Sequence, residues 1–267
     1  MTDRVGLEEL LAWYRDAGVD EALEASPVDR FAESAALVAV RREATPLPAP
    51  AVRLAEKAPP ARTIAAISPE TAALDASAVA QGCADLAALE AAIQAFEACG
   101  LKQHARSTVF AAGTPTSRLA IIGDVPDRDE DAEGVPFAGP AAAMLERMLG
   151  AIDVATEDIY RIAGSPWRTP GQRPLNPQEK AQLTPFLRRH VELAEASVIL
   201  VMGGAAELLF GASKRLPALR GRLQTLELDD RRIEAVCTFH PNFLLRHPRQ
   251  KRLAWADLLL LRERLGA

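Results

Sequence analysis

RLAIIGD, residues 118–124, is a short continuous apolar run that closes in Gly-Asp. Four apolar residues in a row, bounded by a turn, form the pattern of a strand buried on both faces with a loop at its carboxyl end. Working outward, PAAAMLERMLGAI (140–152) places Pro140 in a first helical turn and repeats apolar residues at helical spacing. A short strand near Ile159 to Ala163, a helix near Pro177 to Leu193 and the apolar run SVILVMGG (197–204) continue the alternation. A helix from about Ala205, a strand near Arg232 to Thr238 and a closing helix from about Gln250 to Leu265 complete it. Upstream, Leu86, Leu89, Ile93 and Phe96 share one helical face that ends at Gly100. Strands alternating with helices predict an α/β fold, a mostly parallel central sheet flanked by helices on both faces. Ligands of such sheets bind at the carboxyl ends of the strands, which directs attention to the segments after Ile122 and Thr238.

Composition narrows the class. The chain has 267 residues, 49% of them hydrophobic, enough for a sizeable core. Its longest apolar runs fall far short of a membrane span, and its start lacks the basic-then-apolar pattern of a secretory leader, so a cytoplasmic protein is expected. Three cysteines, Cys83, Cys99 and Cys237, are too few for a disulfide framework or a four-cysteine metal site. The formal charge is −5, and all of it sits in residues 1–80, which carry 8 Lys and Arg against 13 Asp and Glu. The remainder is balanced, which excludes a strongly basic nucleic-acid-binding domain but not a local basic patch. Three regions follow. Residues 1–30 read as a short amphipathic helix suited to docking or to hooking a partner protein, residues 31–82 as a flexible Pro/Ala-rich linker, and residues 83–267 as the compact domain.

Two segments carry candidate chemistry. In GDVPDRDEDAEGVPFAGPAA (123–142) carboxylates crowd one loop; Asp124 stands at the mouth of the buried strand, and Phe137 can offer a flat face to a planar ligand. An acidic loop also reads as plain solvated surface, and its spacing fits no calcium loop. In CTFHPNFLLRHPRQKR (237–252), His240 follows a strand end and precedes a proline that fixes the turn, which aims it at the same crevice. Beyond it, Leu244, Leu245, Arg246, Arg249, Lys251 and Arg252 combine an apolar wedge with four cations. Cations suit phosphates and an apolar side chain fills the gap left by an unstacked base, although the same run reads as the basic start of a helix. No glycine-rich phosphate loop is present, which weighs against an unrelated nucleotide-binding protein.

Together these segments resemble motifs A and B of the uracil-DNA glycosylase superfamily, most closely its family-four, iron-sulfur branch. Gly123-Asp124-Val125-Pro126-Asp127, Glu130-Asp131 and Gly134-Val135-Pro136-Phe137-Ala138-Gly139 parallel Gly-Glu-Ala-Pro-Gly, Glu-Asp and Gly-x-Pro-Phe-Val-Gly. His240-Pro241-Asn242 and Leu244-Leu245-Arg246 parallel His-Pro-Ser and Leu-Leu-Arg, and Lys251, Arg252, Trp255, Asp257 and Leu258 parallel the closing Lys-Arg-x-x-Trp-x-Asp-Leu. The resemblance covers residues 86–262 and implies a three-layer α/β/α domain that flips a deaminated base out of DNA and hydrolyses its glycosidic bond. By the same resemblance Asp124 and His240 are catalytic, Gly123, Val125, Pro126, Phe137, Ala163 and Asn242 line the base pocket, and Leu244, Leu245, Arg246, Arg249, Lys251 and Arg252 hold DNA.

The departures are informative. Family-four members bind a four-iron four-sulfur cluster through four cysteines; the matching positions here are Phe96, Cys99, Trp167 and Leu183, so no cluster, metal or other cofactor is expected. The family's uracil-reading Asn aligns with Ala163, which relaxes base choice or leaves a weak or inactive relative that binds DNA or a repair partner. Asp124 replaces Glu and shortens its reach by one methylene. Gln172 and Asn176 are the nearby amides that could substitute as readers.

Overall fold

The computed structural model describes residues 69–211, 213–229 and 231–266. Six strands form one sheet: β1 (Ala111–Gly113), β2 (Leu119–Ile122), β3 (Ile159–Ile162), β4 (Val198–Met202), β5 (Leu223–Glu227) and β6 (Arg232–Thr238). Their spatial order is β1-β3-β2-β4-β6-β5. The four inner strands are parallel, and β1 and β5 add one antiparallel strand at each edge. The mostly parallel α/β expectation holds, with mixed edges.

The apolar runs explain the layers. Side chains alternate across a strand, so a run buried throughout feeds two cores. Ala120, Ile122, Ile199 and Val201 enter one core, while Leu119, Ile121, Val198, Leu200 and Met202 enter the other. Full burial of each such branched side chain contributes about 1.5–3 kcal/mol. The helices are α1 (Pro69–Gln81), α2 (Leu86–Ala95), α3 (Arg128–Glu133), α4 (Gly139–Gly150), α5 (Pro177–Leu193), α6 (Ala205–Phe210), α7 (Leu216–Leu219), α8 (Pro241–Arg246) and α9 (Lys251–Leu265). Residues of α1, α2, α5 and α6 cover the first core, and residues of α4, α8 and α9 cover the second.

The segment read as a linker needs correction at its end. Helix α1 occupies Pro69–Gln81 and packs on α5, with Ala76 and Ala80, one turn apart, fully buried. The described compact unit thus begins before residue 83, while the amphipathic segment 1–30 and the first part of the linker lie outside the described residues. No helix among the described residues is long and apolar enough to cross a membrane.

Two fastenings position the loops that matter. Asp127 caps α3 by accepting from Asp129 and Glu130 N–H (2.8 and 2.9 Å), and Glu130 answers by accepting from Asp127 N–H (2.8 Å), a reciprocal capping box. At the other side, the fully buried Asp257 of α9 accepts from Thr238 Oγ1 (2.8 Å), Gly221 N–H (2.9 Å) and Arg220 (2.7 Å). That carboxylate ties α9 to the end of β6.

Candidate active site

The carboxyl ends of β2, β4 and β6 lie side by side and open into a crevice of about 930 Å³. Asp124, Val125 and Pro126 enter it from β2, Gly203 and Gly204 from β4, and His240 from β6. Asp124 and His240 are therefore brought together as expected. Asp124 is pinned by backbone donors: Oδ1 accepts from Val125 N–H (2.8 Å) and Oδ2 from Gly204 N–H (3.0 Å). The pin needs the Gly203-Gly204 pair. Gly203 has φ +65°, and a Cβ there would meet Asp124 Oδ2 at 2.3 Å. Gly164 serves the neighbouring strand exit, where a Cβ would meet Gly123 O at 2.4 Å. These glycines were missed from sequence; the doubled Gly closing the β4 run was the available signal.

His240 is 5% exposed. Burial holds its imidazole below the usual histidine range; the carboxylates of Asp124 and Asp127 oppose that shift, and Arg246 reinforces it. Asn242 N–H donates to Nδ1 (3.3 Å), which assigns the proton of the neutral ring to Nε2. That buried Nε2 meets no partner among the described residues. A desolvated N–H without an acceptor is costly, about 1–3 kcal/mol, and His240, which carries this one, lines the crevice.

Phe137, expected to offer a flat face to a planar ligand, is buried. Its N–H donates to Glu130 Oε1 (2.6 Å), its φ is +58°, and its ring packs parallel to His240 with centroids 5.3 Å apart. The ring is 1% exposed, belongs to the second core, and lies so close to Gly123 that a Cβ there would meet it at 3.2 Å. Phe137 supports the imidazole from behind and does not line the crevice. Gly123 and Ala163 are likewise buried off the crevice wall, and Ala163 N–H is spent on Phe110 O (3.1 Å).

Other expectations resolve individually. Asn242 lines the crevice, but its amide donates to Asp127 Oδ2 (2.6 Å). Asn176 Oδ1 caps α5 by accepting from Glu179 N–H (2.8 Å), and Asn176 does not line the crevice, whereas Gln172 does. Leu244 is fully buried in the second core and cannot wedge DNA; its neighbour Leu245, 38% exposed, lines the crevice mouth. Arg246, Arg249, Lys251 and Arg252 are all exposed beside it. Part of the acidic loop is spent internally, since Asp131 accepts from Arg106 N–H (2.8 Å) and Ser107 N–H (3.3 Å) while Asp127 and Glu130 form the box described above; Asp124 and Asp129 line the crevice. No group of three or more His, Cys, Asp and Glu among the described residues is placed to hold a metal.

The four positions that would ligate an iron-sulfur cluster do not fit one. Phe96, Cys99, Trp167 and Leu183 are all buried in the first core. Phe96 meets Phe186 edge to face (5.0 Å), and Trp167 Nε1 donates to Thr108 Oγ1 (3.1 Å). Burial pushes the single thiol, Cys99, up, away from the thiolate a metal needs.

The profile of the Uracil DNA glycosylase superfamily matches residues 110–259, from the start of β1 into α9. The chain is 26% identical over 173 residues to the Type-4 uracil-DNA glycosylase of Archaeoglobus fulgidus, covering 63% of this chain and 87% of that protein. With the enzyme of the same name from Thermotoga maritima it shares 29% over 151 residues, 56% of this chain and 78% of the relative. A family match across more than half the sequence, falling on the strands and loops that build the crevice, places the chain in the uracil DNA glycosylase superfamily.

Proposed function

We propose that this protein is a DNA glycosylase that hydrolyses the N-glycosidic bond of uracil, or of another deaminated base, flipped out of DNA, and so opens base excision repair. The observation that carries the reading is the buried, partnerless Nε2–H of His240 at the crevice. Breaking the C1′–N bond leaves its electron pair on the base, and the charge spreads to the base oxygen; a neutral, preorganised N–H donor stabilises that charge without first losing a proton. Asp124, with each oxygen held by one backbone N–H, keeps lone pairs free to orient the water that attacks C1′ or to stabilise the cationic sugar. Leu245 fills the space of the extruded base, and Arg246, Arg249, Lys251 and Arg252 hold the flanking phosphates. The relatives' printed name supports uracil as substrate. Ala163, which offers no amide to the base, favours a broader or different base choice, and it is the feature behind a second reading, a non-catalytic DNA-binding relative. The chain acts without an iron-sulfur cluster, because apolar packing fills the ligand positions.

The test is strand cleavage at the abasic site after incubation with labelled oligonucleotides carrying uracil, hypoxanthine or xanthine, single-stranded and paired. Excision of at least one base is expected. Asp124→Asn and His240→Ala should each slow single-turnover excision tenfold or more, about 1.4 kcal/mol of lost transition-state stabilisation. No excision at enzyme excess would favour the non-catalytic reading.

A further inference from the structure

Asp127 and Asn242 stand where the sequence departs from both motifs it resembles, a carboxylate in place of the closing Gly of the first and an amide in place of the Ser of the second. The two departures meet. Asn242 Nδ2 donates to Asp127 Oδ2 at 2.6 Å, across 115 residues of sequence. Asp127 spends its other oxygen on the α3 cap. From this pair two supports run to His240. One passes through Asn242, whose N–H donates to His240 Nδ1 (3.3 Å). The other passes through the capping box: Asp127 N–H donates to Glu130 Oε2 (2.8 Å), Glu130 Oε1 accepts from Phe137 N–H (2.6 Å), and the Phe137 ring packs parallel to the imidazole. The contacts close into a ring, His240–Asn242–Asp127–Glu130–Phe137–His240.

We propose that Asp127 and Asn242 are positioning residues, a bridge that fastens the β6 loop to the β2 loop and holds His240 with its Nε2–H turned into the crevice. The inference rests on the glycosylase reading for its kinetic consequence and on geometry alone for its structural one. It moves Asn242 from base contact to orientation. The carboxylate–amide pair joins the two loops in a way that a Gly and a Ser at these positions could not, since neither offers such a donor and acceptor.

Exchange of donor and acceptor tests it. Asn242→Asp sets two carboxylates against each other and should slow single-turnover excision at least tenfold, with the DNA concentration for half-maximal rate changed less than threefold. Asp127→Asn combined with Asn242→Asp re-forms the hydrogen bond in the opposite sense, keeps an Asn cap on α3, and should bring the rate back to within threefold of wild type. A side chain that only caps α3 predicts neither the loss nor the recovery. Wild-type rates in the single variant, or a double variant as slow as the single, overturn the proposal. The second readout needs no activity: imidazole 15N shifts of His240. Asp124, Asp127 and Arg246 are the charged groups acting on this ring. The wild type should hold the Nε2–H tautomer from pH 6 to 8, Asn242→Asp should move it toward imidazolium, and the double variant should return it. If no base is excised by wild type, the glycosylase reading falls while these spectra still decide the bridge; identical His240 spectra in all three proteins overturn it.

Discussion

At the scale of single residues, Glu130 is the group whose chemistry reaches furthest. Burial raises its carboxyl to about 7, against the two backbone N–H donors, Asp127 and Phe137, that favour the charged form; the nearby Asp127 and Asp124 carboxylates add to the rise. Ionised, it accepts both N–H bonds; protonated, one of its oxygens becomes a donor facing a donor. The clasp on Phe137, and through it the support of His240, therefore tightens as pH rises through 7. Excision should rise across this window, while burial moves the His240 titration below the usual histidine range. Glu130→Gln should lower the single-turnover rate at pH 8 about tenfold, ~1.4 kcal/mol, and flatten its dependence between pH 6 and 8. A variant that keeps the full acidic limb would place the titrating group elsewhere. Residue identity was the most legible layer of the sequence: Asp124 and His240 declared themselves by their place after buried strands. Phe137 did not, because a left-handed φ of +58° at a non-glycine residue is set by the Glu130 clasp and leaves no mark in the local sequence. Leu244 and Leu245 were indistinguishable as a pair, since only the rotation of α8 decides which one faces the core.

At the scale of elements, the four positions aligned with cluster cysteines are filled by core packing. The four positions at issue come from the end of α2, the turn that follows it, the loop after β3 and α5. A cluster would cross-link these segments covalently, whereas here a fully buried Trp167 and the Phe96–Phe186 contact join them by packing. Truncating such a side chain removes both transfer free energy and packing, so Trp167→Ala should cost about 3–5 kcal/mol in urea unfolding. Protein purified without oxygen should contain iron near zero and show no visible charge-transfer absorbance; a stoichiometric brown chromophore would overturn the cluster-free reading. The elements that were legible are those with a strong period. β2 and β4 are unbroken apolar runs, and α5 opens on Asn176-Pro177 with Glu179 three residues after its cap. The elements that were not are half-exposed. β1 is three residues, Ala-Ala-Gly, defined only by pairing with β3, and β5 is an exposed edge strand in which only Leu226 is buried. Helix α1 hid in an Ala-rich segment because alanine serves a buried face and a solvent face alike.

For the whole molecule, opposing buried titrations set the response to acid. His190 lies in the first helical layer, its Nε2 2.9 Å from Tyr160 OH and its ring stacked on Phe110, and burial lowers it to about 3. A histidine depressed in the folded state binds its proton only in the unfolded chain between 6.5 and about 3, so its stabilising contribution is complete above 6.5 and is lost as pH falls. Glu130 has the opposite sign: raised from 4.5 to about 7, it takes up a proton in the folded state first, and lowering pH from 7 to 4.5 stabilises the fold. At ~1.4 kcal/mol per pH unit, each effect amounts to roughly 3 kcal/mol by pH 4.5. These two groups oppose one another, and His240, also depressed by burial, acts in the same direction as His190. The separate variants should expose the parts. Urea unfolding at pH 7 and 4.5 should show Glu130→Gln losing about 3 kcal/mol more than wild type over that interval, and His190→Phe losing about 3 kcal/mol less. The comparison is between slopes, so the fixed cost of leaving Tyr160 OH without its partner in His190→Phe cancels. Parallel pH slopes in the three proteins would mean that neither buried group governs acid stability and that the surface carboxylates do.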